Sequence, residues 1–414
     1  MAKVATGARN RATMAPPSPI TLEQAQRRLC ALAAPLPVER VDLAEAVGRY
    51  LAQDLLAQRT QPMADLSAMD GYAMAENDVR GPWRVKGESA AGHPFTGAIA
   101  AGEAVRISTG AYMPRGSGAV LLQENATRDG EMVALNGEDE PTTRHIRRAG
   151  FDFTKGDVLL EKGTAIGPAQ LALAISGGHG ALPLHRQPSL AVLDSGDELS
   201  ADPVNCGPHQ LPATNGPAIA ALARPFISHV QRIGPVSDTM EALLDGLDRA
   251  SDADVIVTSG GASVGDHDLV RPALERWGAT IDFWRVSIKP GKPLLVAQRG
   301  KQVIVGLPGN PVSSFVTAYL FLLPLLRTMG GASANFPHHI PTPCVDALPT
   351  GGNRTEFLRG CTVDGGVALI DEQDSSALRA LASADVLIRR DIDAPATEPG
   401  DMVNCYRIQN GGIA

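Results

Sequence analysis

The spacing of hydrophobic residues changes along the chain. Leu22, Ala25, Leu29 and Leu32 recur at helical intervals, and Thr21-Leu22-Glu23-Gln24 forms a capping box that opens the helix. After a break at Pro35 and Pro37, a second helix is predicted from about Asp42 to Asp54, with Leu43, Val47, Tyr50 and Leu51 facing inward. Residues 80–145 lose that period. Short β-like runs at Trp83–Val85, Ala104–Ser108, Ala119–Glu124 and Met132–Leu135, punctuated by glycine, predict a small inserted β domain. The apolar stretch Pro168–Ile175 returns to helix. From Ser189 strands alternate with helices, as in an α/β layer domain. Residues 337–408 revert to short strands: Thr355–Leu358, Val367–Ile370, Asp385–Leu387 and Val403–Tyr406.

Within the α/β part, four apolar strands each run into a loop rich in glycine or proline. Ala191-Val192-Leu193 leads into Asp194-Ser195-Gly196-Asp197-Glu198, and Val255-Ile256-Val257 into Thr258-Ser259-Gly260-Gly261-Ala262-Ser263-Val264-Gly265. Phe283–Val286 leads into Lys289-Pro290-Gly291-Lys292-Pro293, and Gln302–Val305 into Gly306-Leu307-Pro308-Gly309-Asn310-Pro311, where a long apolar helix begins. Ligands of open α/β sheets sit at strand carboxyl ends, so these loops are expected to converge on one crevice. The glycines let several backbone N–H groups approach one anion, and Asp268 is a candidate cap for the helix that follows, with Pro272 in its first turn. Three further stretches carry polar groups at turns: Asp70-Gly71 at a strand start, Ser108-Thr109-Gly110, and Arg147-Arg148-Ala149-Gly150-Phe151-Asp152.

Composition narrows the reading. The chain has 414 residues, enough for several domains, and 44% hydrophobic content supports real cores. A net charge of −8 and 4% aromatic residues argue against a nucleic-acid partner. Five widely spaced cysteines, with no CxxC pair, fit neither a disulfide framework nor a zinc site, so a reducing, cytoplasmic setting is expected. Residues 1–20 lack a continuous apolar core and are expected to be a disordered extension. The longest apolar run, Phe315–Leu326, is broken by Thr317 and Pro324 and is too short to span a bilayer, so no membrane role is expected.

The chain has no GxxxxGK[ST], HExxH or GxGxxG motif. Gly261-Ala262-Ser263-Val264-Gly265 matches GxSxG, but no histidine after a convincing strand end completes a triad. What remains is a crevice of carboxylates (Asp197, Glu198, Asp268), lysines (Lys289, Lys292), hydroxyls and backbone donors. Such a set suits a phosphorylated substrate with a hard divalent cation.

These motifs in this order resemble the molybdopterin molybdenumtransferases, the family of MoeA and the gephyrin E domain. The resemblance runs from about residue 21 to 408. It rests on Ser67–Ala73, Thr109–Ala111, Ser195–Leu199, Ser259–Gly265, Lys289–Pro293 and Gly306–Pro311. It implies a multidomain α/β and β fold: a central three-layer αβα molybdopterin-binding domain (187–330), an inserted small β domain (55–144), a discontinuous helical domain (21–54 with 145–186) and a C-terminal β-barrel-like domain (337–408). It implies insertion of molybdate into adenylylated molybdopterin, with AMP released in a Mg²⁺-dependent step, by a homodimer that shares its active crevice and contacts other cofactor-biosynthesis proteins transiently. Carried over, Asp70, Thr109, Asp152, Glu198 and Asp268 are the catalytic candidates, with Glu198 and Asp268 also the metal candidates. Ser195, Gly196, Asp197, Ser259, Gly260, Gly261, Ser263 and Gly265 would hold the substrate, Lys289 and Lys292 its anions, while Pro308 and Pro311 would shape the molybdate pocket. The chain departs from the family pattern at Asp194-Ser195, where Ser-Thr is usual, at Ala213 and Ser237, where acids are usual, and at Phe151 and Asp374. A pterin-binding scaffold with little turnover is the alternative, and sequence does not separate molybdate from tungstate.

Overall fold

The computed structural model describes residues 19–137, 139–260 and 269–408. The expected N-terminal extension therefore lies almost wholly outside the described residues. Two compact units form: one from the described part of Met1–Glu39 with Gly48–Tyr50 and Leu184–Ala414, the other from Arg40–Val47 and Leu51–Pro183.

In the first unit, six strands make the central sheet: β1 (Leu190–Ser195), β2 (Val230–Val236), β3 (Val255–Ser259), β4 (Thr280–Arg285), β5 (Pro293–Arg299) and β6 (Gln302–Leu307). Their order across the sheet is β2-β1-β3-β6-β5-β4, with β2, β1, β3 and β6 parallel and β5 antiparallel to both its neighbours. The β-branched runs are buried on both faces, and alternate residues face opposite layers. Leu190, Val192, Val255, Val257, Val303 and Val305 pack against Ile219 and Leu222 and against the helical stretch from Pro311 to Met329. On the other face, Ala191, Leu193, Ile256 and Ile304 pack on Leu243, Leu247, Val270 and Leu274. The three-layer αβα expectation holds.

Helix Leu22–Ala31 has the capping box read from sequence and buries Leu22, Ala25 and Leu29 in the first of these layers. Pro311–Met329 is a continuous 19-residue helical stretch, the one such stretch among the described residues long and apolar enough to cross a membrane. It is longer than the apolar run suggested because Pro324 does not break it. A π segment, Ala318–Leu322, precedes the proline, and Pro324 falls in the first turn of Leu323–Met329, where its missing N–H costs little. Its most apolar window is 89% buried in the protein, as a core helix should be.

The C-terminal sheet runs Ile288–Lys289, Thr355–Val363, Val386–Arg390, Met402–Arg407, Ile340–Pro343, with Gly366–Leu369 paired to Thr355–Val363. Its edge strand thus comes from the lysine motif, which straddles two sheets.

The second unit holds another six-stranded sheet, in the order Ala119–Leu122, Gly71–Met74, Glu103–Ile107, Trp83–Ser89, Met132–Leu135, Ala126–Asp129. The helix expected over Asp42–Asp54 does not form. Val38–Asp42 is a strand, Leu43–Glu45 a single 3-10 turn, and Gly48 takes φ +83°, which ends any helical path. Val47, expected to face inward, is 52% exposed. Four apolar positions and a capping-box spacing, Asp42 with Glu45, matched a helix there, but the turn they start closes after Glu45 with Gly48 three residues on.

Candidate functional site

Parallel register aligns the carboxyl ends of the central strands: Asp194 lies beside Ser259, and Ser259 beside Leu307. The expected loops therefore do gather at one edge of the sheet. Three of them border two pockets, where one crevice was expected, and the described part of the fourth, residues 258–260, lines neither.

The first pocket, of about 490 Å³, is lined by Asp194, Glu198 and Asn215 with the apolar walls Leu199, Leu211, Pro212, Pro311 and Leu378. Asn215 donates from Nδ2 to the Gly309 carbonyl at 2.7 Å, tying the last strand-end loop to the helix Asn215–Ala223. Ser195 is buried, whereas Asp197 and Glu198 are exposed. The backbone N–H of Asp238 donates to Asp197 Oδ1 at 3.2 Å. Burial, then the charges of Asp197 and Glu198, hold the Asp238 carboxyl above its ordinary range. Asp238 thus senses both acidic neighbours, although among the described residues no three acids, cysteines or histidines form a ready metal-binding group.

The second pocket, of about 360 Å³, is cationic: Lys289, Lys292, Arg354 and Arg359 line it with Ser313 and Ser375. Gly291, between the lysines, takes φ +104°, and a Cβ there would meet Thr317 Cγ2 at 2.4 Å, so only glycine lets this turn seat against the core helix. Lys289 Nζ pairs with Glu356 Oε1 at 2.9 Å, its direct neighbour across the strands. Arg359 is 1% exposed and donates from Nη2 to the carbonyls of Glu372 (2.8 Å) and Asp374 (3.1 Å), which fixes the turn that carries Ser375. Its Nε has no partner, and burial lowers its pKa. A buried guanidinium with an unmet donor in a pocket of cations and hydroxyls is suited to a tetrahedral oxyanion.

In the other unit, Asp70 and Thr109 come together. The Thr109 backbone N–H donates to Asp70 Oδ1 at 2.7 Å, and this bond, then the threonine hydroxyl, holds the Asp70 carboxyl below its usual range. No hydrogen bond among the described residues links Asp152 to either. Of the arginine pair, Arg148 is taken up by Asp65 at 2.7 Å, a surface salt bridge.

Gly261, Ser263, Gly265 and Asp268 lie outside the described residues. The following helix, Val270–Arg276, has Leu269 at its cap position with no side-chain cap bond, and Pro272 in its first turn as expected. Pro311 lines the first pocket, and Pro308 lines neither. Sequence reading missed Arg354, Arg359 and Ser375, all from the C-terminal domain. One signal was there: Thr355, Phe357 and Arg359 occupy the buried face of their strand, and an arginine in that alternation needs a reason.

The fold and its edge define the class: an α/β protein whose parallel strands end at an edge bordered by polar, charged pockets, the usual place for a ligand in such sheets. Three family models cover the chain in sequence: the MoeA N-terminal region (domain I and II) over residues 20–178, the probable molybdopterin binding domain over 191–328, and the MoeA C-terminal region (domain IV) over 342–408. The chain is 35% identical to the molybdopterin molybdenumtransferase of Haemophilus influenzae, over 82% of this chain and 85% of that one. It is 33% identical to the protein of the same name from a Nostoc species, over 78% and 76%. Among solved structures, the molybdopterin biosynthesis MoeA protein of Pyrococcus horikoshii superimposes with a TM-score of 0.80 at 25% identity, covering 94% of this chain and 99% of that one. The chain belongs to the molybdopterin molybdenumtransferase (MoeA) family, and so to molybdenum cofactor biosynthesis.

Proposed function

We propose that this protein inserts molybdate into adenylylated molybdopterin and releases AMP. The observation that carries the reading is the sorting of charge along one sheet edge. A cationic, hydroxyl-lined pocket and an apolar-walled pocket with carboxylates are lined by different loops of that edge. Molybdate is a tetrahedral dianion and fits the first, where Lys292, Arg354 and Arg359 are its donors; the ring-bearing part of the substrate fits the second. Breaking a phosphoanhydride asks for positioned charge and little covalent chemistry from the protein.

Mg²⁺ fits the acidic side. Asp197, Glu198 and Asp238 offer hard oxygen donors, with Asp238 already under the charge of the other two, and Mg²⁺ needs only one or two carboxylates beside water and phosphate. Bound there, it would neutralise phosphate charge on the substrate. Asp238 then shares the part foreseen for Glu198 and Asp268. A homodimer is the proposed assembly, because Asp70 and Thr109 form a polar pair in the unit that lacks both pockets. Exposed Met69 and Tyr112 adjoin that pair, and Met63 and Phe151 (67% and 74% exposed) flank the Asp65–Arg148 bridge. A second copy would cover these side chains. The free cysteines are in keeping with a reducing, cytoplasmic setting.

The test is direct. Purified protein with adenylylated molybdopterin, molybdate and Mg²⁺ releases AMP in step with molybdate. Tight pterin binding with no AMP release, the substrate staying intact, overturns the enzyme reading in favour of a scaffold. Replacing molybdate by tungstate measures its selectivity.

A further inference from the structure

The apolar-walled pocket contains one buried charge that the proposed reaction does not use. Asp194 is the penultimate residue of strand β1, is 6% exposed, and lines the pocket beside Glu198. The Ser259 hydroxyl and the Gly216 backbone N–H lie near its carboxylate and favour its charged form. Its Oδ1 is closed off from water and has no partner. The seat is made for it: a Cβ at position 216 would come within 2.1 Å of Asp194 Oδ2, so this carboxylate and a glycine in the first turn of the Asn215–Ala223 helix require each other.

We infer that Asp194 is a specificity-determining residue whose free carboxylate oxygen accepts a hydrogen bond from the amino-bearing edge of a flat heterocycle held between Leu199, Leu211 and Pro311. Among the described residues the lining contains no lysine or arginine, and its two charged groups are both acidic, so it repels phosphate and favours a donor-rich ring. Phosphate and molybdate have cations elsewhere along the edge. The carboxylate's terminal torsion is soft, so a turn about Cβ–Cγ presents Oδ1 to an incoming N–H. Burial pushes its pKa up to about 6, with Gly216, Ser259 and Arg232 pulling the other way, which leaves it ionised and accepting at neutral pH.

This inference rests on the reading of the substrate as adenylylated molybdopterin, which carries two such edges, one on the pterin and one on the adenine. Two pairs of probes separate them. 6-Hydroxymethylpterin is compared with 6-hydroxymethyllumazine, which has oxygen in place of the 2-amino group, and AMP with IMP, which lacks the 6-amino group. Binding is measured by calorimetry on the intact protein. Wild type prefers the amino-bearing member of one pair by roughly tenfold or more, the size of a charge-assisted hydrogen bond. Asp194→Asn keeps the shape and an acceptor for Ser259 and Gly216, yet offers an NH₂ to the ring, so the preference vanishes or reverses. Asp194→Ser, a second variant should the first misfold, loses it as well. A helix-capping role alone would change melting temperature and leave ring preference unmoved. Unchanged preference in a folded variant, or no preference in wild type, overturns the inference. Should molybdate-dependent AMP release persist in wild type with that outcome, the transferase reading stands and only the role of Asp194 falls.

Discussion

The two pockets are built from the same material, the loops at the carboxyl edge of one sheet, yet they take opposite charge. The acidic pocket is walled by leucine and proline and draws all its residues from the α/β domain and the adjoining Ser376–Leu378 turn. The cationic pocket takes its lysines from the connection between β4 and β5 and its arginines from the Thr355–Val363 strand and the residue before it. A parallel sheet thus supplies the location, and the neighbouring domain decides what charge part of it presents. One dense motif is not a site until another sheet completes it.

The largest expected effect of breaking this division comes from Arg359→Ala. It removes a fully buried side chain and the guanidinium that anchors the Glu372 and Asp374 carbonyls, so the strand loses packing and the turn carrying Ser375 loses its tie. Unfolding by denaturant should show a loss on the order of 3 kcal/mol. Arg359→Lys keeps charge and loses the fork, so molybdate KM should rise roughly tenfold with ring binding untouched.

Asp194→Asn sharpens the other side. The wild-type carboxyl has a folded pKa of about 6 against an ordinary 3.8. The folded state therefore binds the proton more tightly than the unfolded chain. Ionisation opposes folding: the penalty is absent below about pH 3.8, accrues toward pH 6, and is complete above it. Removing the charge should stabilise the protein by about 2 kcal/mol at pH 8 and far less at pH 4, read as a melting-temperature difference. A variant equally affected at both values would show that the carboxylate is not strained.

Glu356→Gln should have the smallest effect. It releases Lys289 from its ion pair and adds positive charge to the cationic pocket, so molybdate should bind a few-fold tighter in calorimetry. Weaker binding would mean that Glu356 serves chiefly to hold Lys289 in place.

Much of this was legible before the structure. Apolar runs followed by glycine loops marked β1, β3 and β6, because strands buried on both faces leave little else for a sequence to say. Those same runs gathered Glu198, Ser259 and Asn310 at one edge. Asp42–Asp54 was misread because a few apolar residues can match a helical period by chance, and Gly48 outweighs them. Arg359 showed only as an arginine in a buried alternation and Arg354 not at all, since their distance from the lysine motif is closed only by the pairing of Ile288–Lys289 with Thr355–Val363. Long-range strand pairing leaves no local mark. Asp194 was visible as an odd residue at a strand end, but its seat against Gly216 was not.

The central claim is that oxyanion and ring are held in separate pockets. Steady-state AMP release by wild type and Lys292→Ala, with molybdate and adenylylated molybdopterin varied in turn, tests it most directly. The account predicts that Lys292→Ala raises KM for molybdate roughly tenfold and leaves KM for the adenylylated pterin within about twofold. Equal rises in both, or a change confined to the pterin substrate, would contradict it.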